Sequence, residues 1–475
     1  MSLPSRPVAG PRRGFRVTIV HPCVGRFRGM RGYMRSWQME PLPAAVLAAL
    51  LPADVDRRFH DDRMEPIPFD EPTDLVLISV ETYTAKRAYQ IASEYRRRGV
   101  AVVMGGFHAT LCPDEVVAHC ESIVIGEAEG VLAEVIDDHR HGRPRAVYRS
   151  QDRPRLAAAC PDRTIFRGKR YLPLRLIEFS RGCRFRCDFC AIQSYYAATH
   201  THRSVDRVVD EVRRSCTGRE LVFFIDDNLT SSLDDAKELM RALIPLRIRW
   251  VSQSAINVAF DDEALDLMRR SGCQGVLIGL ESLVPESLRE MNKGFNLMRG
   301  GPRAAMANLR RHGLRVYGTF VFGYDSDTPD TFATAVRFAQ DEGMFIAAFN
   351  HITPFPGTPL YERLRAEGRM LHDPWWLDDR YRYGMVPFRP ARMAVEELQR
   401  ACARARREFY SWSSIVRRSV HRVNYRDPAM WLNYWMINAM HHWDTEGRDG
   451  LPLGDEGWAG TLLESASAGH VTVSV

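Results

Sequence analysis

The chain has 475 residues, 45% of them hydrophobic and 26% charged, the proportions of a soluble globular protein with room for two or three cores. Its formal charge of +6 is carried almost wholly by arginine, and the charges do not gather in one block, which argues against a dedicated nucleic-acid surface. "MSLPSRPVAGPRRGF" lacks the apolar run of a signal peptide and "PLPAAVLAALLP" is too short to span a bilayer, so the expectation is a cytoplasmic protein whose ten cysteines stay reduced.

From Phe15 to Glu129, short apolar runs alternate with helical stretches. "RVTIV" reads as a strand, "LPAAVLAAL" as a helix, "VDRRFHD" as an edge strand and "DLVLISV" as a buried one. "AKRAYQIASEYRRRG" is a helix stopped by glycine, followed by the strands "VAVVMGG" and "SIVIGEAE". This alternation predicts a doubly wound parallel sheet with its ligand crevice at the carboxyl ends of the strands. Gly105 and Gly106 fall at such an end, serving either a ligand's close approach or a tight turn. The Arg-, Pro- and Asp-rich sequence near 131–172 reads as a connector.

Six more strand candidates follow: "LRLIEFS", "LVFFI", "RWVSQSA", "GVLIGLE", "LRVYGTFVFG" and "MFIAAFNHI". Helices such as "SVDRVVDEVRRSC", "SLDDAKELMRALI" and "DDEALDLMRRSG" lie between them, which predicts a partial barrel open on one side. After Pro354 the Trp- and Arg-rich sequence predicts a helical cap, with "ASAGHVTVSV" as a loose tail. The expected organisation is α/β: a doubly wound sheet over 1–150, a connector over 151–172, a partial (β/α)6 barrel over 173–354 and a mainly helical cap over 355–475.

In "LIEFSRGCRFRCDFCAIQ", Cys183, Cys187 and Cys190 follow the first barrel strand with C-x3-C-x2-C spacing, at the barrel end where catalytic groups gather. A structural zinc takes four protein ligands; no second C-x2-C or H-x3-H pair follows, and His200 and His202 in "THTH" are the nearest candidates to complete one. An iron–sulfur cluster prefers thiolates and usually takes four, so three local thiolates leave one iron open to an outside ligand.

The motif and the six-strand barrel are similar to those of radical S-adenosylmethionine (SAM) enzymes. The resemblance implies a [4Fe-4S] cluster on the three cysteines and SAM chelated by the open iron. It further implies a 5′-deoxyadenosyl radical that takes hydrogen from a small-molecule substrate, with electrons from a flavodoxin or ferredoxin. It places Phe189 beside the adenine and Asp226, Asp227 and Asn228 at the methionine end. Ser252, Gln253 and Asn257 fall near the third strand, Glu281 at the ribose or substrate, and Gly323 and Tyr324 where the chain passes the adenine. For each, the competing reading is a helix cap or turn residue.

The stretch "MGGFHATLCPDEVVAHCESIVIGEAEG" resembles the cobalamin-binding domain of a large radical SAM subgroup rich in methyltransferases. No D-x-H-x-x-G offers a histidine to cobalt, and the loop "HPCVGRFRGMRGYMRSWQMEP" crowds the place of a corrin, so the expectation is against bound cobalamin. "GYMRSWQMEPL", "SVETYTAKRAYQIA" and "FNHITPFPGTPLY" look like the group containing the paromamine dehydratases of apramycin biosynthesis. That likeness implies radical dehydration of an aminoglycoside in antibiotic biosynthesis: hydrogen abstraction at C4′, loss of the C3′ hydroxyl, and a separate reductase to finish.

Such a reaction asks for a base, an acid and carboxylates for ammonium groups. Asp226, Asp227, Glu281, Asp325, Asp327, Glu81, His108, His312 and His351 are candidates, Glu281 and His351 foremost. The alternative is a cobalamin-dependent radical SAM methyltransferase. A more distant one is an RNA-modifying enzyme, resting on the Arg and aromatic residues of "CARARREFYSWSSIVRRSVHRVNYR". There the preferred reading is an amphipathic helix packing Tyr410, Trp412, Ile415 and Val416 on the barrel.

Overall fold

The computed structural model describes residues 14–29, 38–150, 160–216, 218, 220–444 and 449–464. Its first sheet has six parallel strands, β1 (Arg16–His21), β2 (Asp56–Asp61), β3 (Leu75–Ser79), β4 (Ala101–Gly105), β5 (Ser122–Ile125) and β6 (Val147–Arg149), in the order β2-β1-β3-β4-β5-β6. The order reverses between β1 and β3, the switch point at which a doubly wound sheet opens a crevice. β3 is an almost fully buried Leu-Val-Leu-Ile run, as a strand covered on both faces must be. Helix Ala85–Arg97 lays Ala88, Ile91, Ala92 and Tyr95 inward, and Gly99, at φ +74°, ends it.

Part of the stretch read as a connector belongs to this sheet. Leu132–Arg140 is a helix that buries Leu132, Val135 and Ile136, and β6 pairs with β5 as an added edge strand. The apolar stripe is only three residues wide, and the surrounding charges mask it in the sequence.

The second sheet takes β7 (Leu174–Ile177), β8 (Leu221–Phe224), β9 (Arg249–Ser254), β10 (Cys273–Glu281), β11 (Arg315–Phe322) and β12 (Ile346–His351) in chain order, all parallel, with β7 and β12 as its edges. All six expected strands are present. Phe224, Trp250, Ile278, Phe320 and Phe349 fill its core. Helix Asp262–Arg270 shows how sequence sets one crossover: the Asp261 carboxylate accepts from the Ala264 N–H at 2.8 Å, and Arg269 and Arg270 occupy the last turn.

The C-terminal region is mainly helical. Helix Val395–Phe409 packs Leu398, Cys402, Ala405 and Phe409 on the barrel. Two further helices span Trp412–Ser419 and Pro428–Trp443. Tyr410 and Ile415 are buried as expected, but Trp412 and Val416 face outward, 44% and 52% exposed. The chain then returns to the first sheet, where Gly454–Asp455 pairs in parallel with Gly25–Arg26. The loop around 30–37 and the tail from 466 onward lie outside the described residues. Among the described residues, no helix is long and apolar enough to cross a membrane.

Candidate functional site

The cysteine loop leaves β7 through Ser180–Gly182, which pairs antiparallel with His200–His202. Gly182 has φ +83°, and a Cβ there would lie 2.3 Å from the Thr199 carbonyl, so glycine alone lets the two segments meet. Beyond it, the Cys190 N–H donates to the Cys187 carbonyl at 3.3 Å. Asn228 Nδ2 donates to Cys183 Sγ at 3.4 Å, while its own Oδ1 is fixed by the Ala255 N–H and the Thr230 hydroxyl. Burial pushes the Cys187 thiol up to about 12 and raises Cys190, with Lys293 working the other way.

Three thiols on one loop, answered by an amide donor and a nearby ammonium, suit a cluster that brings its own bridging sulfide. Among the described residues, no group of three or more His, Cys, Asp or Glu side chains is placed to hold a single metal ion. His200 and His202 lie on the strand that braces the loop, His202 facing Asp235 at 3.5 Å.

The expected strand-end residues divide into those that face open space and those that hold the frame. Asp226 is a frame residue: its carboxylate accepts from the Ser180 hydroxyl at 2.5 Å and from the N–H groups of Phe179 and Ser180. Burial lifts it to about 7. The Gln253 amide donates to the Asp226 carbonyl at 2.7 Å and the Ser252 hydroxyl to the Phe224 carbonyl at 2.9 Å, so both tie β8 to β9. Asn257 keeps a buried Oδ1 with no hydrogen-bond partner. Asp227 accepts from the Gly182 N–H at 2.7 Å, and burial raises it to about 6.

Glu281 is held at φ +62° at the end of β10, a left-handed conformation costly for a residue with a Cβ. Its Oε1 accepts from the Lys293 ammonium at 2.6 Å and its Oε2 from the Thr319 hydroxyl at 3.3 Å. Burial opposes the Lys293 charge, but Glu281 and Cys187 hold its pKa above the ordinary value. The Lys293 ammonium stands 5.9 Å from the Phe189 ring, which joins Glu281, the cysteine loop and Phe189 into one neighbourhood. Sequence reasoning does not find Lys293; it lies twelve residues past β10, and only the short helix Pro285–Glu290 and the turn after it fold it back.

Other candidates are tied elsewhere. The Tyr324 hydroxyl donates to Asp188 at 2.5 Å, and Asp327 accepts from the N–H groups of Gly323 and Tyr324 and from Ser287. Asp325 pairs with Arg363 and Arg369. His351 turns its ring nitrogens to the carbonyls of Ile352 and Gly384, at 3.0 and 3.2 Å. His108 is bonded to Glu115 and Thr82, His312 faces Asp262, and the Glu81 N–H donates to Thr84 in a short turn. None of these three histidines is brought to the cysteine loop.

Between the two sheets lies a cavity of about 270 Å³. Its floor is apolar, with Leu77, Val103, Val124 and Leu132 beneath Ser79, Gly105, Gly106 and Gly126 at the strand ends. Gly106 has φ +97°, which L side chains rarely adopt, and a Cβ there would press on Ser79 and Val80 at about 3.0 Å, so the tight turn itself favours glycine. The lining also carries Glu127, Glu129, Glu178 and Asp227 with a single guanidinium, Arg181. Arg181 reaches Glu127 at 3.1 Å, Glu129 at 2.6 Å and Glu178 at 2.7 Å. Glu127 is 8% exposed, yet its Oε2 is buried without a hydrogen-bond partner, and burial raises its pKa despite Arg181. A more open hollow of about 610 Å³ lies by Leu174 and Arg175 at the amino ends of the barrel strands, the end that serves stability rather than chemistry.

A model of the radical SAM superfamily matches residues 177–339. The bacteriochlorophyllide d C-12(1)-methyltransferase of Chlorobaculum tepidum is 32% identical over 411 residues, covering 84% of this chain and 87% of that one. The chain belongs to the radical SAM superfamily. Membership implies a [4Fe-4S] cluster and SAM. Two solved structures share the fold. TsrM from Kitasatospora setae, with cobalamin and a [4Fe-4S] cluster bound, has a TM-score of 0.61 at 19% identity over 81% of this chain and 84% of that one. The cobalamin-dependent radical enzyme OxsB, with aqua-cobalamin bound, has a TM-score of 0.62 at 14% identity over 90% and 72%.

Both neighbours hold a corrin, so the expectation against cobalamin loses its support; the loop it rested on lies partly outside the described residues. The comparisons likewise bring no support for the likeness to paromamine dehydratases. They favour the methyltransferase alternative.

Proposed function

We propose that the protein is a cobalamin-dependent radical SAM methyltransferase of a small molecule that carries positive charge. The observation behind this reading is the cavity that joins the crevice of the first sheet to the strand ends of the barrel. Its apolar floor suits an aromatic ring such as the nucleotide base of cobalamin, although the cavity is too small to take the corrin itself. When bound, the cluster supplies electrons and cobalamin supplies a transferable methyl group. The chain's own part is to hold the thiols, with Asn228 donating to Cys183 and the Lys293–Glu281 pair beside Cys187. Four carboxylates against Arg181 leave an excess of partly buried negative charge, which a cationic substrate would balance.

The test incubates anaerobically reconstituted protein with hydroxocobalamin, SAM, a low-potential reductant and amine-bearing or neutral candidate substrates. The expected result is a corrin absorption band that survives gel filtration, and an amine product heavier by one methyl group. A protein that binds no corrin overturns the reading. A flavodoxin or ferredoxin in the cytoplasm is the proposed electron source.

Radical dehydration of an aminoglycoside is the second reading, and one observation favours it. Asp227, raised to about 6 at the cavity wall, is a proton donor near neutral pH, which loss of a hydroxyl requires. A product lighter by one water, formed without cobalamin and passed to a reductase, would decide for it.

A further inference from the structure

Ten large hydrophobic side chains are exposed among the described residues, and eight of them fall between Trp412 and Trp443. Exposed apolar residues scattered singly need no explanation, but such a concentration marks an interaction surface. On helix Trp412–Ser419 and the residue after it, Trp412, Val416 and Val420 recur every four residues and so line one outward stripe. On helix Pro428–Trp443, Leu432, Met436 and Trp443 line a second. This helix contains no Asp, Glu, Lys or Arg over its 16 residues, although only Met430, Tyr434 and Asn438 are buried beneath it.

The stripes form one face. The Tyr434 hydroxyl donates to the Ile415 carbonyl at 2.7 Å, and Asn438 Oδ1 accepts from the buried Arg418, which locks the helices side by side. At one end, the Trp412 and Trp443 rings meet edge-on at 6.0 Å. The six side chains together expose roughly 700 Å² before the residues between them are counted, close to the about 800 Å² per partner of a stable interface.

We propose that this face is a two-fold interface with a second copy of the chain. Its composition is that of an interface core, rich in Trp and Met with arginine nearby in the sequence. Lysine is absent from 409–443, Arg417 is paired with Asp341 at 2.6 Å and Arg418 is buried, so the cations left are arginines, whose planar guanidinium suits an aromatic partner. A copy of the same face offers aromatic rings on which Arg422 and Arg426 can stack.

Sedimentation velocity on the anaerobically reconstituted full chain tests the proposal. The expected result is a dimer at micromolar concentration. Leu432→Asp and Met436→Asp should each weaken self-association about a hundredfold or more, because every substitution acts twice across a two-fold. Iron content and the thermal melt of the monomer should stay unchanged, since both side chains already face water. Met298→Asp, equally exposed outside the patch, should leave the dimer intact. A wild-type monomer at about 100 µM overturns the inference, as does a dimer indifferent to Leu432→Asp. Binding of a wild-type monomer to phosphatidylglycerol vesicles that Leu432→Asp abolishes would overturn it in favour of a lipid surface.

Discussion

Glu281 ends one parallel strand and Glu127 stands two residues past another, and both are buried. Glu281 gives one oxygen to Lys293 and the other to Thr319. Glu127 shares Arg181 with two other glutamates and leaves Oε2 without a partner. A buried charge with a dedicated counter-ion belongs to the frame, whereas one that must share a counter-ion is poised for a ligand that brings its own charge.

The largest expected effect comes from breaking the balanced pair. Lys293→Met should cost about 3–5 kcal/mol of stability, read by anaerobic urea denaturation, because Glu281 is left buried and unpaired. The double variant Lys293→Met/Glu281→Gln should recover most of it. A cost below about 1 kcal/mol for the single variant would mean that the pair is not balanced as drawn.

The next effect follows pH. Asp226 and Asp227 are raised to about 7 and about 6 by burial, so the folded chain keeps protons that the unfolded chain releases near pH 4. Their contribution to stability is therefore greatest in acid, falls as pH rises from about 4 to about 7, and is level above that. Asp227→Asn should shrink the difference in urea midpoint between about pH 5 and about pH 8; an unchanged difference would refute its share.

A smaller effect is expected at the unbalanced centre. Glu127→Gln should weaken binding of a diamine probe such as 1,3-diaminopropane about tenfold by calorimetry, while leaving stability unchanged or slightly raised. Equal binding by both proteins would remove the distinction between the two centres. Smallest is Asp261→Ala, a control far from both, which removes a helix cap at a cost of about 1 kcal/mol.

The two centres also differ in how far a sequence can reveal them. The strands were legible because buried parallel strands are near-continuous runs of Val, Ile and Leu, and the cysteines because their spacing is local. Glu281 stood out at a strand end, but its partner Lys293 depends on the path of an intervening turn. The unbalanced wall was harder still: Glu127 and Glu129 follow a strand of the first sheet, Glu178 and Arg181 a strand of the second, and only the packing of one sheet on the other makes them neighbours. The outward setting of Trp412 and Val416 escapes the sequence for a related reason. Helical periodicity finds an apolar stripe without saying whether anything lies against it.

The pairing of Gly454–Asp455 with Gly25–Arg26 joins segments far apart in sequence, and the Gln90 side-chain amide clasps Asp455, donating to its carbonyl and accepting from its N–H. During synthesis, the segment that leaves β1 therefore waits for more than four hundred residues before its neighbour emerges from the ribosome. The crevice side of the molecule is in this way completed only late in synthesis, and a chain cut short before Gly454 would leave Gly25–Arg26 without its strand partner.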